Sequence, residues 1–277
     1  MEKSERTILD HGKVVLLDIF GSDTRIADAA RVSYQQGTKK TRGDRALLRY
    51  LMRHRHTSPF EMAEVLFYLK VPITVARQLV RHRTANLNEV SGRYSELPQE
   101  IYVPEVAQCG PQSTQNNQGR APVVNEIQSR HAQQSMRFAG DHAYDAYDSL
   151  LHVHQVSREI SRGVLPLHTY TELYWKCDVH NFLHFVKLRM DTHAQYEIRV
   201  MATAMYEVVR PHFPLTCEAW EDYILNAHTF SKLDLALLSR VLRGETPSLA
   251  DAQTLGHSER EYTEFMAKIS DLRTAER

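Results

Sequence analysis

The sequence predicts an α+β fold, a single domain with a small sheet and several long helices, followed by a helical C-terminal extension. Two stretches are typical of strands, because residues 13–20 are β-branched and apolar and residues 63–71 alternate between apolar and other side chains. Much of the remaining chain repeats its apolar residues at intervals of three and four, the spacing of amphipathic helices. We expect residues 1–215 to form the domain and residues 216–277 the extension.

Local signals define the first elements. Turn residues bound the strand at residues 13–20, and Ser22 or Asp23 is the expected cap of a helix that ends near Arg31. Four apolar residues between positions 47 and 52 recur at helical spacing, with charged residues on the other side. They predict a second, amphipathic helix.

The middle of the chain alternates helical and extended signals. Ser58-Pro59-Phe60-Glu61 places a Ser, a Pro and a Glu where a helical turn begins. The strand at residues 63–71 follows with one wholly apolar face, and Pro72 opens another helix. Residues 84–95 are predicted to be mainly loop, and residues 99–104 to be a strand.

Helical patterns dominate the second half of the chain. Residues 108–119 are almost entirely polar and predict a mobile surface loop. Residues 125–163 have helical periodicity, which Pro166 breaks. A second pair of long helices is predicted after that break and ends at Pro211, and two or three short helices are predicted for the extension.

Composition argues against several classes of protein. The 34 Lys and Arg residues balance 34 Asp and Glu residues, so a protein that coats nucleic acid is not expected. No apolar run approaches the roughly 18 residues of a membrane helix, and the first residues lead into no signal-like core, so we expect a cytoplasmic protein. The three cysteines are far apart and outside any C-x-x-C spacing, which argues against a disulfide framework and a thiolate zinc site.

The segment from Arg77 to Arg93 contains four arginines and a single acidic residue, Glu89. Guanidinium groups match phosphate oxygens in pairs, and Ser, Asn and backbone N–H groups add donors, so a phosphate-bearing small molecule is a natural ligand. A solvated basic face, or ion pairs with acidic helices elsewhere, explains the clustering equally well on spacing alone.

A second cluster lies at residues 178–197. His180 and His184 are four apart, which places two imidazoles on one helical face and permits a zinc hypothesis. No Glu stands between them as a general base, and paired helix histidines are commonly polar surface or hydrogen-bonded core. Arg189 is flanked by apolar residues, as is typical of an arginine held against a specific partner, either a ligand or a salt bridge.

Common cofactor and nucleophile motifs are missing. The sequence contains neither G-x-G-x-x-G nor G-x-x-x-x-G-K-[ST], so a Rossmann or P-loop cradle is not supported. Ser91 does not stand in a G-x-S-x-G elbow, so a hydrolase triad is not supported either.

At these residues the chain resembles the flavin-dependent thymidylate synthases. The family signature, R-H-R followed by seven residues and a Ser, stands here as Arg81-His82-Arg83 and Ser91. The similarity covers about Ile8 to Pro214. The matching segments, in order, are Ala30-Arg31-Val32-Ser33, Ser58-Pro59-Phe60-Glu61, Gln78 to Tyr94, Arg162-Gly163-Val164-Leu165-Pro166 and Leu188 to Arg199.

The resemblance implies the family's α+β fold with a small, mostly antiparallel sheet, and a homotetramer with active sites at subunit interfaces. It implies a methyltransferase of dTMP biosynthesis that converts dUMP to dTMP, with FAD as cofactor, methylenetetrahydrofolate as carbon donor and NADPH as reductant. Reduced flavin would supply the hydride, and no covalent attack by Cys or Ser is needed. The expected partners include no nucleic acid, membrane or metal.

The resemblance also assigns roles to single residues. Arg189 is the catalytic candidate, because it matches an arginine that contacts the pyrimidine and favours its ionised N3. The expected dUMP contacts are Gln78 and Arg81 from one subunit, Glu89, Ser91, Gly92, Arg93 and Tyr94 from another, and Arg162 and Arg189. The expected FAD contacts are Ser58, Glu61, Arg81, His82, Arg83, Asn88, Glu89, Asp178, His180 and His184.

The chain departs from one common pattern of the family. Some relatives carry Asn-x-Arg and a later Asn where this sequence has Asp178-Val179-His180 and His184. Exchange of an arginine for His180 is expected to weaken pairing with an FAD phosphate. Two other classes remain open at this point: a phosphate- or RNA-binding module that uses residues 77–93, and a metal hydrolase that uses His180 and His184.

Overall fold

A computed structural model describes residues 4–32, 43–114 and 118–274. In these residues five strands form one antiparallel sheet in the order β1-β2-β3-β5-β4. The strands are β1 (Ser4–Ile8), β2 (Gly12–Phe20), β3 (Glu64–Pro72), β4 (Asn86–Glu89) and β5 (Tyr170–Asp178). The predicted α+β class with a small antiparallel sheet is confirmed. The family match at Ser33 and residues 115–117 of the predicted mobile loop lie outside the described residues.

The first two helices follow the local signals. Helix α1 (Asp23–Arg31) begins after Ser22, whose side chain accepts a hydrogen bond from the Arg25 backbone N–H at 3.2 Å. Helix α2 (Asp44–Arg53) buries the four apolar residues that predicted it. Asp23, the alternative cap, is instead buried and accepts hydrogen bonds from the backbone N–H groups of Leu215 and Thr216, at 2.8 and 3.0 Å. It therefore caps the start of a helix far along the chain.

The short turn predicted at Ser58 is a 3-10 helix, Ser58–Met62. Strand β3 follows it and buries Val65 and Phe67 on the predicted apolar face, and the next helix, α3 (Ile73–Leu79), begins directly after Pro72. The 3-10 helix, β3 and α3 thus occupy the predicted positions.

Strand β5 replaces the first part of the predicted second helix pair, so that prediction was wrong. Leu173, Trp175 and Cys177 are buried and alternate with the less buried Glu172 and Tyr174. This is the period of a strand, and β5 pairs with β3 on one side and with β4 on the other. Aromatic residues such as Tyr174 and Trp175 are enriched in strands, because they pack well on a pleated surface.

Two extended segments also differ from expectation. Strand β4 lies within residues 84–95, which were predicted as loop. The prediction missed it because its four residues are all exposed and show no apolar alternation. Residues 99–104 were predicted as a strand, but there only Ile101 forms an isolated bridge, with Thr169. Strand β4 is held by backbone pairing with β5, which its side-chain pattern does not reveal.

The long helical segment is interrupted. Helix α4 (Glu126–Asp148) is capped by Asn125 and continues as a π-helical turn, Ser149–Val153. Non-helical residues 154–157 separate it from α5 (Arg158–Ser161), so the helix predicted over residues 125–163 is not continuous.

Helices α6 (Val179–Arg189) and α7 (Tyr196–Val209) pack against the sheet. The Phe182 ring lies 5.8 Å from the Phe67 ring, and the Phe185 ring lies 5.3 Å from the Trp175 ring, measured between centroids. Burial of each such aromatic side chain contributes roughly 2–3 kcal/mol. This packing fixes the position of α6, whose end carries Arg189.

The chain divides into two compact units, Met1–Tyr223 and Ile224–Arg277. The first unit includes α8 (Pro214–Trp220), and the second contains α9 (Lys232–Leu242), α10 (Leu249–Leu255) and α11 (Glu259–Thr274). Leu237, Ala252, Phe265 and Ile269 form a core of the second unit. The catalytic domain at residues 1–215 and the extension at 216–277 remain our proposed division. Among the described residues, no helix is both long and apolar enough to cross a membrane.

Candidate active site

The ends of two helices meet at Gln78 and Arg189. Arg189, the last residue of α6, donates a hydrogen bond from Nη2 to the Gln78 carbonyl oxygen at 3.5 Å, near the end of α3. Burial lowers the pKa of Arg189, and the charge of Arg81 acts in the same direction. A guanidinium is so basic that it stays protonated at neutral pH all the same. The structure therefore holds a partly buried positive charge beside Gln78.

The signature residue His82 turns toward the aromatic core. Its ring centroid lies 5.5 Å from that of Phe185, 6.1 Å from Trp175 and 6.0 Å from His184. Burial lowers the pKa of His82, and the charges of His184 and Arg189 lower it further, so the neutral imidazole is favoured. Two residues predicted to contact FAD, His82 and His184, are thus brought together.

Three of the four arginines in the basic segment form no ion pair among the described residues. Among the described residues, Arg77, Arg81 and Arg83 pair with no carboxylate, and neither does Arg162. Arg93 approaches Glu159 at 3.6 Å, but both side chains are more than half exposed. In the described part of the chain, the ion-pair explanation therefore applies to Arg93 alone, and the other guanidinium groups are available to an anion.

Arg162 lies against the loop that contains Ser91 and Gly92. A Cβ on Gly92 would stand 3.3 Å from Arg162 Cδ and 3.1 Å from Leu97 Cδ1. The Ser91 hydroxyl accepts a hydrogen bond from the Arg93 backbone N–H at 3.3 Å, which shapes the loop. Glycine permits this close approach because it lacks a Cβ.

Strand β4 positions the acidic residue of the segment. Thr171 Oγ1 donates to Glu89 Oε1 at 2.6 Å, and the Val90 backbone N–H donates to the Glu172 carbonyl oxygen at 2.9 Å. Asn88 is paired with Tyr174 in the same ladder. Tyr94, further along, is 80% exposed, which is unusual for so large an aromatic side chain.

Asp178 serves α6 as its cap. Its carboxylate accepts from the Asn181 backbone N–H at 2.8 Å and from the Asn181 side-chain amide at 2.7 Å. His180 is half-buried and His184 is exposed on the same helix. In the described residues, no group of three or more His, Cys, Asp or Glu is arranged to hold a metal ion.

Ser58 and Glu61 are exposed on the 3-10 helix, which packs against α6. The Val179 backbone N–H at the start of α6 donates to the Ala63 carbonyl oxygen at 2.9 Å. This bond joins the 3-10 helix segment to the segment of Asp178.

The predicted dUMP residues lie in two groups. One contains Gln78 and Arg189, and the other contains Ser91, Gly92 and Arg162. Among the described residues, no hydrogen bond or ion pair joins the two groups.

Sequence reasoning missed the residues that support Gln78. Gln78 Nε2 donates to Gln195 Oε1 at 2.5 Å, and Gln195 Nε2 donates to Glu197 Oε2 at 2.7 Å. Both residues lie in the segment from Leu188 to Arg199 that carried the family resemblance, but only spatial proximity reveals their connection with Gln78.

Two of the three cysteines are buried, and one of these, Cys177, directly precedes the predicted FAD contact Asp178. Cys177 and Cys217 are buried, and burial raises the pKa of the Cys177 thiol well above its usual value and that of Cys217 to about 12. Buried thiols of this kind are poor nucleophiles.

The comparisons with known proteins agree on one family. Residues 15–215 match the family model described as thymidylate synthase complementing protein. A flavin-dependent thymidylate synthase from Ehrlichia ruminantium (strain Gardel) is 46% identical over 267 residues, which is 96% of this chain and 89% of the relative. Another, from Gluconobacter oxydans, is 45% identical and covers 95% of this chain and 86% of the relative. These alignments reach into the C-terminal extension.

A solved structure gives the same result for the fold. The crystal structure of a UMP/dUMP methylase, PolB from Streptomyces cacaoi, bound with 5-Br UMP, is 34% identical, with a TM-score of 0.70. It covers 78% of this chain and 96% of the methylase chain. A structure of the same methylase bound with 5-Br dUMP has the same TM-score, with 32% identity.

Proposed function

The chain belongs to the family of flavin-dependent thymidylate synthases, and from this premise we propose that it catalyses the reductive methylation of dUMP to dTMP. FAD is the cofactor, methylenetetrahydrofolate the carbon donor and NADPH the reductant. The reaction serves the synthesis of deoxynucleotides.

The observation that carries this proposal is the meeting of Arg189 with Gln78 beside guanidinium groups that have no carboxylate partner. A nucleoside monophosphate has a dianionic phosphate and a uracil ring that gains negative charge when its N3 is ionised. The unpaired Arg162, close to Gly92, would bind the phosphate, and Arg189 would stabilise charge on the pyrimidine. Arg189 is the proposed catalytic residue for that reason.

The residues near His82 fit the parts of an FAD molecule. His82 and His184 provide ring surfaces close to each other, which suit an aromatic heterocycle, and the buried Phe185 packs beneath His82. Arg81 and Arg83 provide cationic donors for a diphosphate. When bound, the flavin would supply the hydride, while the protein places the pyrimidine and excludes water. Asp178 would act through its cap of α6, since its carboxylate already accepts two hydrogen bonds.

The division of the dUMP residues into two groups supports an active site shared between subunits. Gln78 and Arg189 would come from one subunit, and residues 89–94 from another, within a homotetramer. Among the described residues of a single chain, no hydrogen bond or ion pair joins these two groups. Contact between subunits would bring them into one site.

A visible absorption spectrum of the purified protein tests the proposal. We expect a yellow protein whose flavin bleaches when NADPH is added without oxygen, at a rate that depends on dUMP. Addition of methylenetetrahydrofolate should then yield dTMP, measured by chromatography. A colourless protein that cannot be reconstituted with FAD, and that binds polyanions with steep salt dependence, would contradict the enzyme and favour the binding module.

A further inference from the structure

Three polar side chains form a chain of hydrogen bonds that ends at Gln78. Glu197 Oε2 accepts from Gln195 Nε2 at 2.7 Å, and Gln195 Oε1 accepts from Gln78 Nε2 at 2.5 Å. Gln78 and Gln195 are 117 positions apart, on α3 and at the start of α7. We call Glu197, Gln195 and Gln78 the amide relay.

The relay has only one direction, because its first member is a carboxylate. An ionised carboxylate accepts hydrogen bonds and donates none, so Gln195 must turn its NH2 group toward Glu197. Its carbonyl oxygen then faces Gln78, which must turn its own NH2 group toward Gln195. One N–H and the carbonyl oxygen of the Gln78 amide remain for a ligand, since no other described residue bonds to that amide.

Glu197 is itself held in place and ionised. It is 3% exposed, and its Oε1 accepts from Tyr102 Oη and from Arg120 Nη2, both at 3.0 Å. Burial alone would raise the pKa of Glu197, but hydrogen bonds from Gln195 and Arg120 outweigh it and leave that pKa below its usual value. Its place in the first turn of α7 also favours a negative charge.

We propose that Glu197 is a positioning residue for the substrate, which acts through Gln195 to set the orientation of the Gln78 amide. Gln78 is a proposed dUMP contact, so this inference rests on the proposed function. With glutamine at position 197, the carbonyl oxygen would face the donors Tyr102 and Arg120, and the NH2 group would face Gln195. The Gln195 and Gln78 amides would then turn to the reverse orientation. Correct amide orientation matters because a reversed amide turns a hydrogen bond into a repulsive contact.

Binding of dUMP to the flavin-loaded enzyme, measured by calorimetry, tests the relay. Glu197→Gln reverses the direction of its hydrogen bonds, and Gln195→Met removes its middle member. We expect each variant to bind dUMP about tenfold more weakly than the wild type, with flavin content retained. Because both substitutions act on the same amide, the double variant should bind dUMP no more weakly than whichever single variant binds it less tightly. A general loss of stability would not produce this non-additivity.

Two controls separate this role from a structural one. Gln99→Met removes an exposed glutamine that also donates to a carboxylate, that of Asp141 at 3.4 Å, and should bind dUMP as the wild type does. Arg120→Met removes the ion pair to Glu197 but leaves the relay, so we expect a smaller effect than that of Glu197→Gln.

Two results would overturn the relay: dUMP binding unchanged in a folded Gln195→Met enzyme, or effects of the two single variants that add in the double variant. Gln195→Met keeps the proposal testable if Glu197→Gln fails to fold. A wild-type enzyme that binds FAD but not dUMP would instead contradict the proposed function itself.

Discussion

Arg189 Nη2 lies 3.5 Å from the carbonyl oxygen of Gln78, although 111 positions separate the two residues. The contact joins the last residue of α6 to the end of α3, two helices that reach it from different parts of the sheet. Any substrate that touches Gln78 would therefore lie near a guanidinium whose position the packing of α6 determines.

Replacement of this guanidinium should abolish catalysis without unfolding the protein. We expect Arg189→Ala to lower turnover at least about a hundredfold, because a fixed charge at the reacting ring is lost. The measurement is dTMP formation at saturating dUMP, together with thermal unfolding. Arg260→Ala removes an arginine whose side chain is 89% exposed and should match the wild type. Wild-type turnover by Arg189→Ala would refute its catalytic role.

Gly92 and Gly163, which follows Arg162 in the chain, should respond differently to alanine. The new Cβ of Gly92→Ala would meet Arg162 Cδ at 3.3 Å, so the arginine must shift by a few tenths of an ångström. We expect dUMP to bind about fivefold more weakly, which is about 1 kcal/mol. A Cβ at Gly163 would have no atom within 4 Å beyond its chain neighbours and its own helical turn, so Gly163→Ala serves as the control. Equal dUMP affinities for the two variants in a titration would show that the close contact between Arg162 and Gly92 is not needed for binding.

The environment of His82 predicts a loss of stability in acid. Burial holds its pKa below the ordinary 6.5 in the folded protein, so below that pH the unfolded chain takes up a proton that the folded chain resists. The contribution of neutral His82 to the free energy of unfolding is present above pH 6.5. It is lost as the pH falls toward the pKa of His82 in the folded protein. Between pH 7.5 and about 5.5, the melting temperature of the wild type should therefore fall more steeply than that of His82→Gln.

The exposed His131 on α4 offers the matched control for this measurement. His131→Gln should follow the wild-type curve. Parallel curves for His82→Gln and the wild type would mean that His82 does not differ in protonation between the two states.

The second unit should depend on its own small core. Phe265 is fully buried between its helices, so Phe265→Ala should destabilise α9 to α11 by about 3–5 kcal/mol. Hydrogen exchange of backbone amides in these helices measures the effect. Leu242→Ala, at a side chain that is 79% exposed, should change exchange little. Equal protection in both variants would contradict a cooperative core here.

Much of the fold was accessible from local pattern. Strand β3 and helix α2 were predicted correctly, because one face of each is apolar and its period is clear. Strand β5 was not, since its alternation follows a proline break that also suits a second helix. Strand β4 has no pattern of its own, because backbone pairing with β5 rather than burial holds it.

By itself, the sequence determined the family and supplied the candidate residues of the site. The family signature consists of residue types at a defined spacing, Arg81-His82-Arg83 and Ser91, so it is recognised without coordinates. Only the tertiary structure decided that Arg189 meets Gln78, that Arg162 meets Gly92 and that Gln195 is hydrogen-bonded to both Gln78 and Glu197. These contacts arise from packing between distant segments, and hydrogen-bond direction depends on geometry that no local pattern encodes.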